Sequence, residues 1–217
     1  QCWGKGFYGK NGQGTADNAG DDPGEMGDAL PAVPLGGRSL ARSMAGGRDF
    51  VCALLEGGSL KCWGRAEGGQ LGSEAVVTVG DDPDEMGDML PTVDLGSGES
   101  VVEVAAGIQH TCALLLSGAV KCWGRNFFGN LGLETFRASL PEVDLGTGRT
   151  AVSIGAGGER ACAILNDGGL KCWGDNSRGQ LGLGDKEAHG RTVPEMGDSL
   201  PTVRLGTGRT VVALGNS

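Results

Sequence analysis

Apolar residues in this 217-residue chain come in short runs, each closed by glycine or a polar residue, and no stretch sustains helical spacing. Four such runs follow one another at Leu90 to Leu95, Ser100 to Ala105, His110 to Leu115 and Ala119 to Gly124. Short apolar and β-branched runs between turn residues predict strands. The expected class is all-β.

The pattern then repeats. Trp-Gly occurs at Trp3, Trp63, Trp123 and Trp173, which are all the tryptophans, at spacings of 60, 60 and 50 residues. Cys52-Ala53-Leu54-Leu55 leads to Lys61-Cys62-Trp63-Gly64 and Gly69-Gln70-Leu71-Gly72, and later to Leu90-Pro91-Thr92-Val93-Asp94-Leu95-Gly96. Matching copies begin at Cys112 and Cys162. From Trp to the next Leu-Pro is 27 residues in three copies but 17 between Trp123 and Leu140, so one loop is ten residues shorter. Length that varies while a scaffold persists belongs to a surface loop.

Four strands per period, with partial sets at each end, predict 15 strands, or about 3.75 four-stranded blades of a β-propeller. The expected periods are 4–63, 64–123 and 124–173, with a partial repeat at 174–217. Because propellers usually need at least four blades, a piece of a longer array is expected.

The sequence His110-Thr111-Cys112-Ala113-Leu114-Leu115, then Lys121-Cys122-Trp123-Gly124, with Gly-Gln-Leu-Gly in sister copies, resembles the repeat of the regulator of chromosome condensation family. The resemblance implies a seven-bladed propeller, of which this chain would supply about half. Phe50 and Arg160 replace the family's histidine, and Lys10-Asn11-Gly12 stands where Gln-Leu-Gly is expected. A photoreceptor of this family uses tryptophans in Gly-Trp-Arg-His-Thr. The matching segments 47–51, 107–111 and 157–161 hold none, so light sensing is not expected.

Composition narrows the function. The 43 glycines lack a collagen period and read as turn residues. A formal charge of −9 with scattered cations disfavours nucleic acid as a partner, and no run is long enough to span a membrane. The chain opens on Gln1, so its start says nothing about targeting. With two histidines, one tyrosine, no recurring nucleophile–base pair and no phosphate-cradling Gly-Lys-Ser/Thr run, neither catalytic residues nor a cofactor are expected.

Cys52 and Cys62, Cys112 and Cys122, and Cys162 and Cys172 share a separation of ten residues around turns at Gly57, Ser117 and Asp167. A hairpin with a three-residue loop would set each pair directly opposite, about 4.5 Å apart at a non-hydrogen-bonded position. Disulfides are expected, and with them an extracellular or cell-surface location. The alternative is buried thiols in a cytoplasmic protein. Zinc fits poorly, because His110 and His189 do not recur with the cysteines. Cys2 is left over.

Trp3, Trp63, Trp123 and Trp173 are expected to fill the space between blades. The long loops recur as Asp21, Asp22, Glu25, Met26 and Asp28, then Asp81, Asp82, Glu85, Met86 and Asp88, with Glu195, Met196 and Asp198 in the last copy. They lack the spacing of a calcium loop, so no metal is expected. Either they bind a partner or each Met anchors its own loop. The chain therefore reads as a non-catalytic scaffold presenting rim loops to a protein or glycan. Its alternatives are a guanine-nucleotide exchange factor for a small GTPase, which the resemblance implies, and an enzyme inhibitor on the same fold.

Overall fold

The computed structural model describes residues 1–37, 39–73, 77–133 and 140–215. Nine strands form three antiparallel sheets in simple sequence order: β1 (Ala41–Gly46), β2 (Phe50–Leu55) and β3 (Leu60–Gly64), then β4 (Val101–Ala106), β5 (His110–Leu115) and β6 (Val120–Gly124), then β7 (Ala151–Gly157), β8 (Arg160–Leu165) and β9 (Leu170–Gly174). Only short 3-10 turns, such as Phe7–Gly9 and Gly197–Ser199, interrupt the β structure among the described residues. No described helix is long and apolar enough to cross a membrane.

Turn chemistry sets the register. In the β2–β3 hairpin Leu55 N donates to Ser59 O at 2.9 Å, enclosing a three-residue loop that ends on Gly58 at φ +79°. Gly118 and Gly168 repeat that left-handed position at +86° and +81°. Such a loop ends on a left-handed residue, which glycine supplies without a Cβ penalty. A register shift near the start of β1, β4 and β7 bends each inner strand at the same place.

The fourth run of each repeat is less regular than the sequence suggests. Leu90–Leu95 lies along β3 as an extended edge segment held by one bridge, Lys61 with Thr92, and by Val93 N donating to Leu60 O at 2.8 Å. Val143 to Val120 and Val203 to Leu170 repeat that bond. Pro91, Pro141 and Pro201 have no N–H to offer a ladder, which confines the segment to a sheet edge. The blade is a propeller blade, but its outer strand is reduced to one attachment, and nine of the expected 15 strands are laddered among the described residues.

Successive blades pack through their inner strands, β1 against β4 and β4 against β7. Phe50, Leu54 and Leu60 of the first sheet meet Val104, Leu115 and Trp123 of the second. Cys112, Leu114 and Val120 of the second likewise meet Ile154, Leu165 and Trp173 of the third. The core therefore lies between blades, where stacking removes apolar faces from water. Leu214 packs on Gly155 of β7 in the same manner.

Candidate interaction surface

The antiparallel order sends the β1–β2, β4–β5 and β7–β8 turns, and the loops after β3, β6 and β9, to one end of the sheets. The hairpin tips at 56–58, 116–118 and 166–168 emerge at the other. The recurring polar residues are occupied between these two rims.

Each cysteine pair is bonded: Cys52 with Cys62, Cys112 with Cys122, and Cys162 with Cys172, with Cα atoms 4.0 to 4.1 Å apart in directly paired positions of the hairpin. Cys2 is a free thiol, half-buried, and burial raises its pKa.

Each inner tryptophan is a wedge tied to the repeat before it. Trp63, Trp123 and Trp173 are fully buried, and their Nε1 groups donate to Lys10 O, Gln70 O and Asn130 O at 3.0, 3.0 and 3.1 Å. The indole lies on Gly12, Gly72 or Gly132, where an added Cβ would come within 2.9 to 3.3 Å of Nε1. Trp3, with no earlier repeat against it in this chain, is 62% exposed.

The long loops are wired inward. Glu25 Oε2 accepts from Gly20, Asp21 and Asp22 N–H groups at 2.7, 3.1 and 3.2 Å; Glu85 Oε2 accepts from Gly80 and Asp82 at 2.7 and 3.1 Å; Glu195 Oε2 accepts from Arg191 N at 2.9 Å. Burial works to raise the Glu195 carboxyl, but the backbone donors of Arg191, Gly190 and Thr192 hold it below its ordinary range. Met86 and Met196 are buried against Trp63 and Trp173, so these two side chains face the protein rather than a partner. Met26, beside exposed Trp3, is 46% exposed.

Asp198 reaches the preceding repeat. Its Oδ2 accepts from Thr147 Oγ1 at 2.6 Å and its Oδ1 from Thr147 N at 3.1 Å, and these bonds lower its pKa. Asp88 occupies the corresponding place beside Gly36. Asp28 is exposed, as are Asp21, Asp22 and Asp82, while Asp81 is partly buried and its carboxyl is raised by that burial. Among the described residues no three acidic, histidine or cysteine side chains are grouped to hold a metal.

The sequence reading missed the lysine of Lys-Cys-Trp-Gly. Lys61 Nζ donates to Leu35 O and Gly87 O, both at 2.8 Å, and Lys171 Nζ to Leu145 O and Gly197 O at 2.9 and 2.5 Å. One acceptor belongs to the preceding repeat and the other to the blade's own long loop. Lys171 is fully buried, and burial, with Arg149 nearby, lowers its pKa. Lys121 keeps the first acceptor, Leu95 O at 2.6 Å, but follows the pattern of the shortened loop, and no second acceptor stands among the described residues. A lysine recurring on a strand whose other residues are apolar was the available signal.

His110 was also underread. Its ring is fully buried beside Gly107, where a Cβ would overlap it, and neither ring nitrogen has a hydrogen-bond partner. Burial pushes its pKa down to about 4, while the nearby Arg160 main chain, outside hydrogen-bonding geometry, pulls the other way. Phe50 fills the same place over Gly47.

Partly exposed charges meet around the β1–β2 turn. Arg65 stacks 4.9 Å from the Tyr8 ring centre and pairs with Glu67 at 2.5 Å, and Asp49 lies 3.7 to 4.0 Å from Arg48, Arg65 and Lys10. Tyr8 holds φ +61°, a strained conformation for a bulky residue that costs about 1–3 kcal/mol.

The regulator of chromosome condensation (RCC1) repeat profile matches residues 41–70, 101–130 and 151–180, each spanning one laddered sheet and the turn beyond its tryptophan. The chain carries three RCC1 repeats. Among relatives of known sequence, the ultraviolet-B receptor UVR8 of Arabidopsis thaliana is 30% identical over 131 residues, covering 60% of this chain and 26% of the receptor. The probable E3 ubiquitin-protein ligase HERC4 of Homo sapiens is 38% identical over 82 residues, covering 38% of this chain and 7% of the ligase. The solved structure of human WBSCR16 superposes with a TM-score of 0.68 at 22% identity over 94% of this chain and 47% of that one. Prp20p from Saccharomyces cerevisiae gives 0.59 at 20% identity over 77% and 39%. The chain thus spans about a quarter of UVR8 and under half of the RCC1-like structures it superposes on.

Proposed function

We propose that this RCC1-repeat chain is an interaction scaffold that presents propeller rim side chains to a protein or glycan partner. One observation carries the reading. The polar residues that recur with the repeat hold blades together, whereas residues that differ between repeats, among them Arg48, Glu67 and Phe127, are exposed at the turns. A rigid frame with variable edges suits recognition, and recognition needs no reacting group. The three bonded cysteine pairs support action outside the cell or at its surface, with the cytoplasm as the alternative.

Binding of the oxidised chain to a protein partner, followed by biolayer interferometry, tests the reading. Substitutions on the rim should weaken binding while thermal stability stays unchanged. Binding indifferent to every rim substitution would remove it.

The second reading is guanine-nucleotide exchange. It draws on the RCC1 repeat itself and on Prp20p, a fold neighbour described by its binding to Gsp1p and histones. Nucleotide release from a panel of small GTPases, with no stimulation by the intact propeller, would dismiss it. Inhibition of an enzyme by this fold has no feature here that selects a target.

A further inference from the structure

Cations cluster around the β1–β2 turn of a chain whose net charge is negative. Lys10, Arg48, Arg65 and Arg125 gather there against Asp49 and Glu67, in a protein of net charge −9. Hydrogen bonds make the patch continuous: Lys10 Nζ donates to Arg48 O at 3.3 Å, and Arg48 N donates to Ile108 O at 3.2 Å. Exposed apolar groups sit among these cations, with Phe7 63%, Phe127 60% and Ile108 38% exposed.

The arginine after Trp-Gly leans back over the preceding repeat in both of the first two blades. Arg65 covers the Tyr8 ring; Arg125 covers Gly68, the equivalent position, where an added Cβ would meet Arg125 Cγ at 2.6 Å. Because Gly68 has no ring, Arg125 stacks instead on its own Phe127, 5.2 Å from the ring centre. Arg125 forms no ion pair among the described residues, Glu159 acting on it only from beyond ion-pair distance. The cationic excess stops at the third blade, where Glu159 and Asp175 take the place of Gln109 and Arg125.

We propose that this rim binds an acidic protein segment carrying an apolar side chain, its carboxylates facing Arg125, Arg48 and Lys10 and its apolar group lying by Phe127 and Ile108. The inference rests on the scaffold reading and names its partner's chemistry. An arginine held planar against an aromatic ring keeps its donors outward for a carboxylate. A cationic cluster also draws an acidic partner to one place on an otherwise repelling surface. The third blade's carboxylates repel the same segment and so fix which blades it crosses.

Fluorescence anisotropy with a labelled Glu-Gly peptide bearing a central Phe tests this, beside the same peptide with Lys for Glu. The acidic peptide should bind and the basic one should not, and added salt should weaken binding. Arg125→Glu should weaken it by about tenfold, and Phe127→Ala should weaken it as well. Arg204→Glu, an equal charge change at an exposed residue outside the rim, should leave it unaltered. Equal binding of both peptides, or equal effects of Arg125→Glu and Arg204→Glu, overturns the proposal. A protein partner that binds through the opposite rim and ignores Arg125→Glu would overturn it too, while leaving the scaffold reading standing.

Discussion

Replacing His110 by phenylalanine should make the protein more stable and less sensitive to acid. The first blade shows that the site accepts the ring, since Phe50 lies over Gly47 as His110 lies over Gly107. In the second blade both imidazole nitrogens are buried without partners, and one such group costs about 1–3 kcal/mol. The folded protein also holds the imidazole neutral down to about pH 4, against an ordinary value of 6.5. A base with a depressed folded pKa is protonated more readily when unfolded. Its titration therefore adds no further cost above about pH 6.5 and costs stability as pH falls from there toward 4. The interval corresponds to about 3 kcal/mol. Urea unfolding of the oxidised protein at pH 7, 5.5 and 4.5 should show a steeper loss for the parent than for His110→Phe, and a higher midpoint for the variant at pH 7. Parallel pH profiles, or a variant less stable at every pH, would refute the account of the buried ring.

Three further outcomes are expected. Lys171→Met leaves Leu145 O and Gly197 O without their cation and should cost about 3 kcal/mol, read from its urea midpoint against that of the parent. Asp198, held below its ordinary pKa by Thr147, contributes stability that is complete above about pH 4 and fades as pH falls through its depressed value; Asp198→Asn should remove that part of the acid limb in thermal melts. Thiol titration of unreduced, unfolded protein should find Cys2 reactive and the other six cysteines protected, and reducing each bond should cost about 2.7 kcal/mol in the chain-entropy picture; seven reactive thiols would remove the disulfides and the extracellular reading.

The strands at His110–Leu115 and near Ala119–Gly124 were legible because short apolar, β-branched runs and a Gly-containing turn agree there. The edge segment at Leu90–Leu95 was overread as a full strand, since apolar character was weighed and the missing N–H of Pro91 was not. The long loops were legible as recurring units, but acidity suggested an outward role for groups that bond the backbone. Glu195 and Asp198 look like surface charge in sequence because their partners, the Arg191 N–H and Thr147, are reached by folding. Lys171 shows the same difficulty from the other side, as its two carbonyl acceptors are 26 residues away in each direction. The rim's cationic character was hidden altogether, because Lys10, Arg48, Arg65 and Arg125 are scattered until the blades stack.

The backward reach of these ties has a consequence for how such chains grow. The tryptophan bonds span 53, 53 and 43 residues and the lysine bonds 26, each shorter than one repeat. A duplicated repeat, wherever the copying begins, arrives carrying a tryptophan for the unit before it and a carbonyl for the unit after. New blades then join through seams already in use, and only the rim residues are left to diverge.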